Sequence, residues 1–326
     1  MQQPSNADYV RGGTQKDKYT ASEVMYWPCP LCGSEDEKFI KTERDVLRIV
    51  SCAKCSLVRV NPRLENPEEV YTGKVDIYRE EFRMVLNGRA PHHRDWNYLR
   101  DIELIRKLKP KGNWLDVGTN VGSFLRLARG QSWNLQGVEP SEKLANLARE
   151  WWGFEIVNNF LEKANLPSRH FDIVTLTDVF EHVVNPQEML QSVRRILKPD
   201  GVVFLKVPNG KFNWMKFKAR GMFGRPSDND YDAYEHVCHY THDTLAKMME
   251  TCGFSAKHIF VETHVQVPAW HKVTGHYYQH ETPWVLDWKT QSARTFCYHA
   301  AKIESLMRFG KVGYLAPNIG CIASPK

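Results

Sequence analysis

Apolar residues along this chain fall into short runs whose period alternates between that of a helix and that of a buried strand. From Asp95, read as an N-cap, Leu99, Ile102, Ile105 and Leu108 recur at helical spacing and stop before Pro110. Residues 113–117 then read as a strand, 123–129 as a helix, 135–138 as a strand, and Pro140-Ser141 opens a helix through Leu144, Ala145 and Ala148. Residues 171–176 and 202–207 are apolar enough to be strands buried on both faces. The helix between them carries Asn185 as N-cap, Pro186 at its first position and Glu188 where a capping box would close. Thr241 caps a helix that Gly253 ends, and residues 319–323 form a last strand, expected antiparallel at the sheet edge. Alternating strands and helices predict an α/β fold whose parallel sheet has helices on both faces.

Ahead of this pattern stand two thiolate knuckles, Cys29-Pro30-Leu31-Cys32 and Cys52-Ala53-Lys54-Cys55, separated by the 19 residues Gly33 to Ser51. That spacing fits a four-cysteine zinc site, with residues 39–41 and 47–50 as hairpin strands between the knuckles. Four sulfurs fill the tetrahedron and leave no position for an activated water, so the Zn²⁺ predicted here is structural. The organisation read from this pattern is a tail and ribbon over 1–62, a helical connector over 63–94 with aromatics at Tyr71, Tyr78 and Phe82, and a catalytic domain over 95–326. The connector is expected to lie over the active site, and the domain carries insertions at about 209–234 and 263–313.

Candidate chemistry begins where the first strand of the alternation meets its helix, at Asp116-Val117-Gly118-Thr119-Asn120-Val121-Gly122. Ligands of open α/β sheets bind at such strand ends, and Gly118 lets the backbone approach one. Glu139 lies 23 residues after Asp116, at the end of the next strand, where an acid can accept from both ribose hydroxyls of an adenosine. The dinucleotide fingerprint is absent, and Asp116 would repel a pyrophosphate while suiting a cationic sulfonium and ammonium. The predicted cofactor is S-adenosylmethionine (SAM).

The runs Trp114-Leu115-Asp116-Val117-Gly118, Gly137-Val138-Glu139-Pro140-Ser141, Val179-Phe180-Glu181-His182, Leu197-Lys198-Pro199-Asp200-Gly201, Val207-Pro208-Asn209 and Glu235-His236 make the chain resemble class I SAM-dependent methyltransferases. It is most similar to the bacterial branch with an N-terminal zinc ribbon, which methylates deoxysugars and polysaccharides at carbon or oxygen. The resemblance implies a Rossmann-like seven-stranded sheet. It also implies that Asp116, Gly118 and Asn120 contact the methionine part of SAM, Glu139 the ribose, Asn159 and Phe160 the adenine, and that Thr177 and Asp178 face the methyl donor. Asn120 stands where the family usually has glycine, and asparagine tolerates the left-handed backbone best among other residues. The family's carbon methyltransferases carry a longer C-terminal part, so methylation at oxygen is expected.

Methyl transfer requires alignment and removal of the acceptor's proton. His236, oriented by Glu235, is the first candidate base and His182 the second, since histidine titrates near neutrality; in related enzymes the matching residues line the acceptor site. Lys211, Lys216, Lys218, Arg220 and Arg225 interleave with aromatics in the first insertion and suit a phosphorylated or nucleotide-linked sugar. RNA is the competing acceptor, but the ribbon's basic and acidic residues cancel. A non-catalytic SAM-binding assembly partner is the third reading, with Asn120 its support. The second insertion is rich in Trp, Tyr and His, a composition that suits sugar stacking or a homo-oligomer contact.

Composition changes little in this picture. The net charge of +6 permits an acidic substrate without demanding nucleic acid. No stretch resembles a signal peptide or a membrane span, so a cytoplasmic protein is expected.

Overall fold

The strands read from the apolar runs assemble into one mixed seven-stranded sheet, and the cysteine-bearing hairpin builds a second, smaller one. The computed structural model describes residues 18–65, 75–88, 92, 94–225, 227–262, 274–275, 284–285 and 288–326. Tyr71 lies outside the described residues, as do Trp270, His271, His276, Tyr277, Tyr278 and His280, which make the second insertion rich in aromatics and histidine.

The small sheet starts with the hairpin β1 (Glu37–Glu43) and β2 (Leu47–Cys52), turned by Arg44 and Asp45 in left-handed conformations, and continues with β3 (Val58–Val60). Helices α1 (Val75–Leu86) and α2 (Asp95–Leu108) lead to the large sheet. Its elements are β4 (Gly112–Val117), α3 (Leu125–Ala128), β5 (Trp133–Val138), α4 (Glu142–Trp152), β6 (Glu155–Val157), β7 (Phe171–Thr177), α5 (Pro186–Ile196) and β8 (Leu197–Pro208). There follow α6 (Gly210–Met222), β9 (Cys238–His239), α7 (His242–Thr251), β10 (Phe254–Glu262), α8 (Trp288–Met307) and β11 (Asn318–Pro325).

The strand order is β10-β11-β8-β7-β4-β5-β6. The strands from β8 to β6 run parallel, and β11 is antiparallel to both β8 and β10. The chain therefore winds outward in opposite directions from β4 and β7, and a crevice opens at their carboxyl ends. Helices on both faces explain why Leu115, Ile173, Val174, Leu176, Val203 and Leu205 are all fully buried. Trp114 anchors one face edge-on to Phe124 and Trp133, at centroid distances of 5.5 and 5.0 Å.

Four local expectations are corrected. β11 lies one strand in, because β10, which the sequence pattern did not reveal, takes the edge. Arg94 holds the N-cap position of α2; Asp95 is its first residue and accepts from the His92 N–H. Asn185 makes no side-chain capping bond, and Pro186 alone marks the start of α5. The helix expected over 123–129 shortens to α3.

The small sheet is stitched into the rest of the chain. β9 pairs antiparallel with β3, placing Cys238 opposite Arg59 and His239 opposite Val58. Glu43, fully buried at the end of β1, accepts from three backbone N–H groups, those of Asp230, Tyr231 and Ala233, at 2.8, 3.0 and 3.1 Å. Lys41 reaches the same segment through the Ser227 carbonyl and Asp230, and Gln187 of α5 donates to the Pro30 carbonyl in the first knuckle.

Replacing Glu43 by Ala leaves three buried donors without acceptors, which costs about 3 kcal/mol. Chemical denaturation of the variant should register that loss. Amide exchange at Asp230, Tyr231 and Ala233 should accelerate, and unchanged exchange there would show that the clamp does not hold the loop.

Candidate functional site

The crevice between β4, β5 and β7 is lined by acids. Asp116 at the end of β4 is 2 % exposed, so its charge finds little water to solvate it. A relay from the core fixes its carboxylate: the Trp114 indole N–H donates to Thr175 Oγ1 at 3.0 Å, and that hydroxyl donates to Asp116 Oδ1 at 2.6 Å. Burial still dominates, and the Asp116 carboxyl is pushed up to about 7 despite the hydroxyl.

Glu139, at the end of β5, shares this berth. Its Oε2 accepts from the Asn120 N–H and its Oε1 from the Ser141 N–H, each at 2.9 Å. It too is raised to about 7, by burial first and, after the two backbone bonds that oppose it, by the charge of Asp116. Between the two acids runs the turn Gly118 to Gly122. Gly118 sits at φ +66°, where a Cβ would come within 2.6 Å of a Val179 methyl, and Asn120 takes the left-handed conformation at φ +56°. Two buried carboxylates at neighbouring strand tips, neither paired with a cation at hydrogen-bonding distance, fit the positive charge and the ribose diol of SAM.

The other candidate residues divide into those that border the berth and those beyond it. Asn159 and Phe160 follow β6; Asn159 accepts from the Phe160 N–H, and Phe160 is exposed. The neighbouring Asn158 donates to the carbonyls of Glu139 and Pro140 and so ties β6 to the berth, which the sequence reading missed. Thr177 ends β7, and Asp178 after it adopts φ +56° and pairs with Arg94 at 2.7 Å. Arg94 and Tyr78, whose side chain hydrogen-bonds Asn120, bring the connector over the crevice.

The two histidine loops meet beyond Asp178. Phe180 stacks on Tyr240 with centroids 5.0 Å apart, His182 Nδ1 lies 2.9 Å from the Glu235 carbonyl oxygen, and the His182 and His236 rings are 4.7 Å apart. The Glu235 side chain hydrogen-bonds Tyr234. Glu181, not assigned a role in the sequence, is buried beneath this pair, and its carboxyl is raised well above the usual range by burial and by the Asp178 charge. Of the basic residues on α6 and beyond, Lys211 pairs with Asp243 and Arg220 with Asp230.

At the other end, the Cys29 and Cys55 sulfurs are 3.5 Å apart, as are those of Cys32 and Cys52, and all four lie within 4.8 Å of one another. Sulfurs around one tetrahedral zinc sit about 3.8 Å apart for a Zn–S bond of about 2.3 Å, so the donor set and spacing fit that ion. Backbone bonds from Gly33 N–H to the Cys29 carbonyl and from Ser56 N–H to the Cys52 carbonyl close the two knuckles.

A mostly parallel, mixed sheet with its acid-lined crevice at the winding switch, next to a glycine turn, is the architecture of a Rossmann-like SAM-dependent methyltransferase domain. The chain belongs to the family described as Methyltransferase domain, whose model matches residues 91–259. It is 30% identical over 159 residues to the ubiquinone biosynthesis O-methyltransferase of Histophilus somni, covering 43% of this chain and 66% of that one. It is 29% identical over 106 residues to a ubiquinone/menaquinone biosynthesis C-methyltransferase of Shewanella pealeana, covering 28% and 42%. Among solved structures it is similar to a SAM-dependent methyltransferase of Thermotoga maritima, with 16% identity, a TM-score of 0.49, and coverage of 80% of this chain and 100% of that one. The chain spans about half the length of the curated relatives it matches. No helix among the described residues is long and apolar enough to cross a membrane.

The raised carboxyls give a pH signature. Folded values near 7 lie above the ordinary 3.8 and 4.5, so the folded chain holds protons that the unfolded chain has already released. Stability from these groups is full at low pH and is lost as pH rises through about 7. A bound cation favours the ionised forms, so SAM affinity should rise across the same window with release of protons. Calorimetry in buffers of different ionisation enthalpy checks this, and affinity independent of pH between about 6 and 8 would refute it. Thr175→Val, which removes the hydroxyl donor to Asp116, should move the midpoint upward.

Proposed function

We propose that this protein transfers the methyl group of SAM to a hydroxyl of a small molecule, most closely a saccharide or nucleotide sugar, at oxygen rather than carbon. The observation that carries the reading is that the His182 and His236 rings lie 4.7 Å apart, His182 on the loop after β7, with β4 between β7 and the strand β5 whose end carries Glu139. In this reading Asp116, Gly118 and Asn120 hold the methionine part of SAM and Glu139 the ribose. Asn159 and Phe160 border the adenine, and Thr177 and Asp178 face the sulfonium. SAM supplies a methyl group already activated by its positive sulfur, so the protein's work is alignment and deprotonation. His236 takes the acceptor proton, Glu235 belongs to the loop that positions it, and His182 is the alternative base. The four cysteines hold a structural zinc that keeps the small sheet folded.

The names of the relatives support an acceptor hydroxyl or carbon on a small molecule. The resemblance to ribbon-bearing sugar methyltransferases supports the sugar. The basic, aromatic α6 supports a phosphate on it, through those of its cations that acids do not already engage.

Mass spectrometry of reactions containing SAM and a panel of nucleotide sugars tests the acceptor. Methylation of a sugar oxygen is expected, and methylation of transcripts with no sugar modified would overturn the substrate class. His236→Ala should leave SAM affinity within a few-fold while lowering turnover about 100-fold or more. Full activity in that variant would remove His236 from the role.

A further inference from the structure

Glu181, His182 and His236 bring one carboxylate oxygen and two imidazole nitrogens within 4.8 Å of one another. These atoms come from two loops that the Phe180–Tyr240 stack locks together. His182 is oriented from behind. A carbonyl oxygen only accepts, so the Nδ1 that lies 2.9 Å from the Glu235 carbonyl carries the proton, and in the neutral ring Nε2 presents a lone pair. That lone pair lies 3.9 Å from Glu181 Oε1, too far for a hydrogen bond. Fixing one ring nitrogen by a backbone carbonyl while the other turns to a shared point is how proteins orient histidine ligands.

Glu181 provides an independent observation. The residue is 2 % exposed, and its Oε2 is buried without a hydrogen-bond partner. A carboxylate oxygen left in that state costs stability unless something bound there completes it.

We propose that Glu181, His182 and His236 form a second metal site, separate from the four cysteines, for a divalent first-row cation such as Mn²⁺, Fe²⁺ or Zn²⁺. Two imidazoles and one carboxylate, with no thiolate, are a mixed nitrogen and oxygen donor set that suits such divalent cations. Three protein ligands leave coordination positions open for water or an oxygen of the acceptor. Ligands sharing one ion at about 2.1 Å sit roughly 3 to 4 Å apart, so the observed separations close by small side-chain rotations. The site deepens the reading of this cluster as the acceptor end of the crevice and rests on it for its purpose. It also changes the part played by His236, since a ring nitrogen bound to a cation cannot at the same time remove a proton.

The test titrates the full, zinc-loaded chain with Mn²⁺ alone and follows binding by electron paramagnetic resonance, to which a zinc-filled thiolate site is silent. One Mn²⁺ per chain is expected, with affinity weakened about 100-fold or more in Glu181→Gln and in His182→Ala. Thermal melting followed by circular dichroism verifies that each variant is folded, and His236→Asn, at a half-buried position, provides a further variant if Glu181→Gln fails to fold. Absence of saturable Mn²⁺ binding, or equal affinity in the parent and every folded variant, overturns the site. Calorimetry with SAM on the parent chain keeps the two readings apart. SAM binding without Mn²⁺ binding sinks the metal site alone, whereas absence of SAM binding sinks the methyltransferase reading whatever Mn²⁺ does.

Discussion

Buried negative charge at the carboxyl ends of β4, β5 and β7 is the constraint around which the crevice is built. Asp116, Glu139 and Glu181 are each almost fully buried, and Asp178 stands among them. Burying an ionised carboxylate without a partner is expensive, so each must be neutralised by a proton, a donor or a cation. Asp178 has Arg94, Glu139 has two backbone N–H groups, and Asp116 has only threonine hydroxyls. The berth is therefore least satisfied where a positive charge would satisfy it most. That imbalance favours a sulfonium-bearing cofactor over a pyrophosphate, which would add repulsion to an already unfavourable site.

The small sheet bears on this chemistry through backbone rather than through charge. β9 continues the ribbon as a fourth strand, and Glu43 clamps the three N–H groups just upstream of it, so the segment from Asp230 to His239 is held at both ends by residues of the small sheet. His236 sits inside that span. A four-cysteine module can thus bear on the proposed chemistry at the far loop, because its fold is the surface against which the loop is ordered. Gln187, reaching from α5 to the first knuckle, adds a tie to the large sheet.

Much of this arrangement was legible in the chain because its signals are local. Continuous apolar runs mark strands buried on both faces, the Thr241 cap and Gly253 bracket α7, and the spacing of the cysteines reads as a tetrahedron. Asn120 in a left-handed turn is also a local inference, and its φ of +56° agrees with it. What escaped depends on residues far apart. β10 mixes Lys257 and His258 with apolar residues because it is an edge strand, and so lacks the uniform run that marks its neighbours. Glu43 reads as surface charge on a hairpin until three N–H groups arrive from nearly 190 positions downstream. Arg94 and Asp178, 84 positions apart, carry no shared pattern at all. Asn158 and Asn159 are indistinguishable by type, and only the backbone decides which one faces the Glu139 carbonyl.

The connector supplies one of the charges that balance the crevice. Lys206 is buried beneath the crevice, but it already donates to Asp101 at 2.9 Å, so that lysine and that aspartate compensate each other within the core. Arg94 does the same for Asp178, and the arginine comes from the connector rather than from the sheet. Asp116 and Glu139 remain at the strand tips and Glu181 beside the histidine pair. In the proposed reading SAM, with a sulfonium and an ammonium against one carboxylate, has a net charge of about +1, which would offset one of these two acids and leave the ribose hydroxyls to meet the other. Glu181 lies outside that balance. Its burial next to two imidazoles is therefore not explained by the methyl donor; a proton on its raised carboxyl, or a cation shared with the two imidazoles, neutralises it.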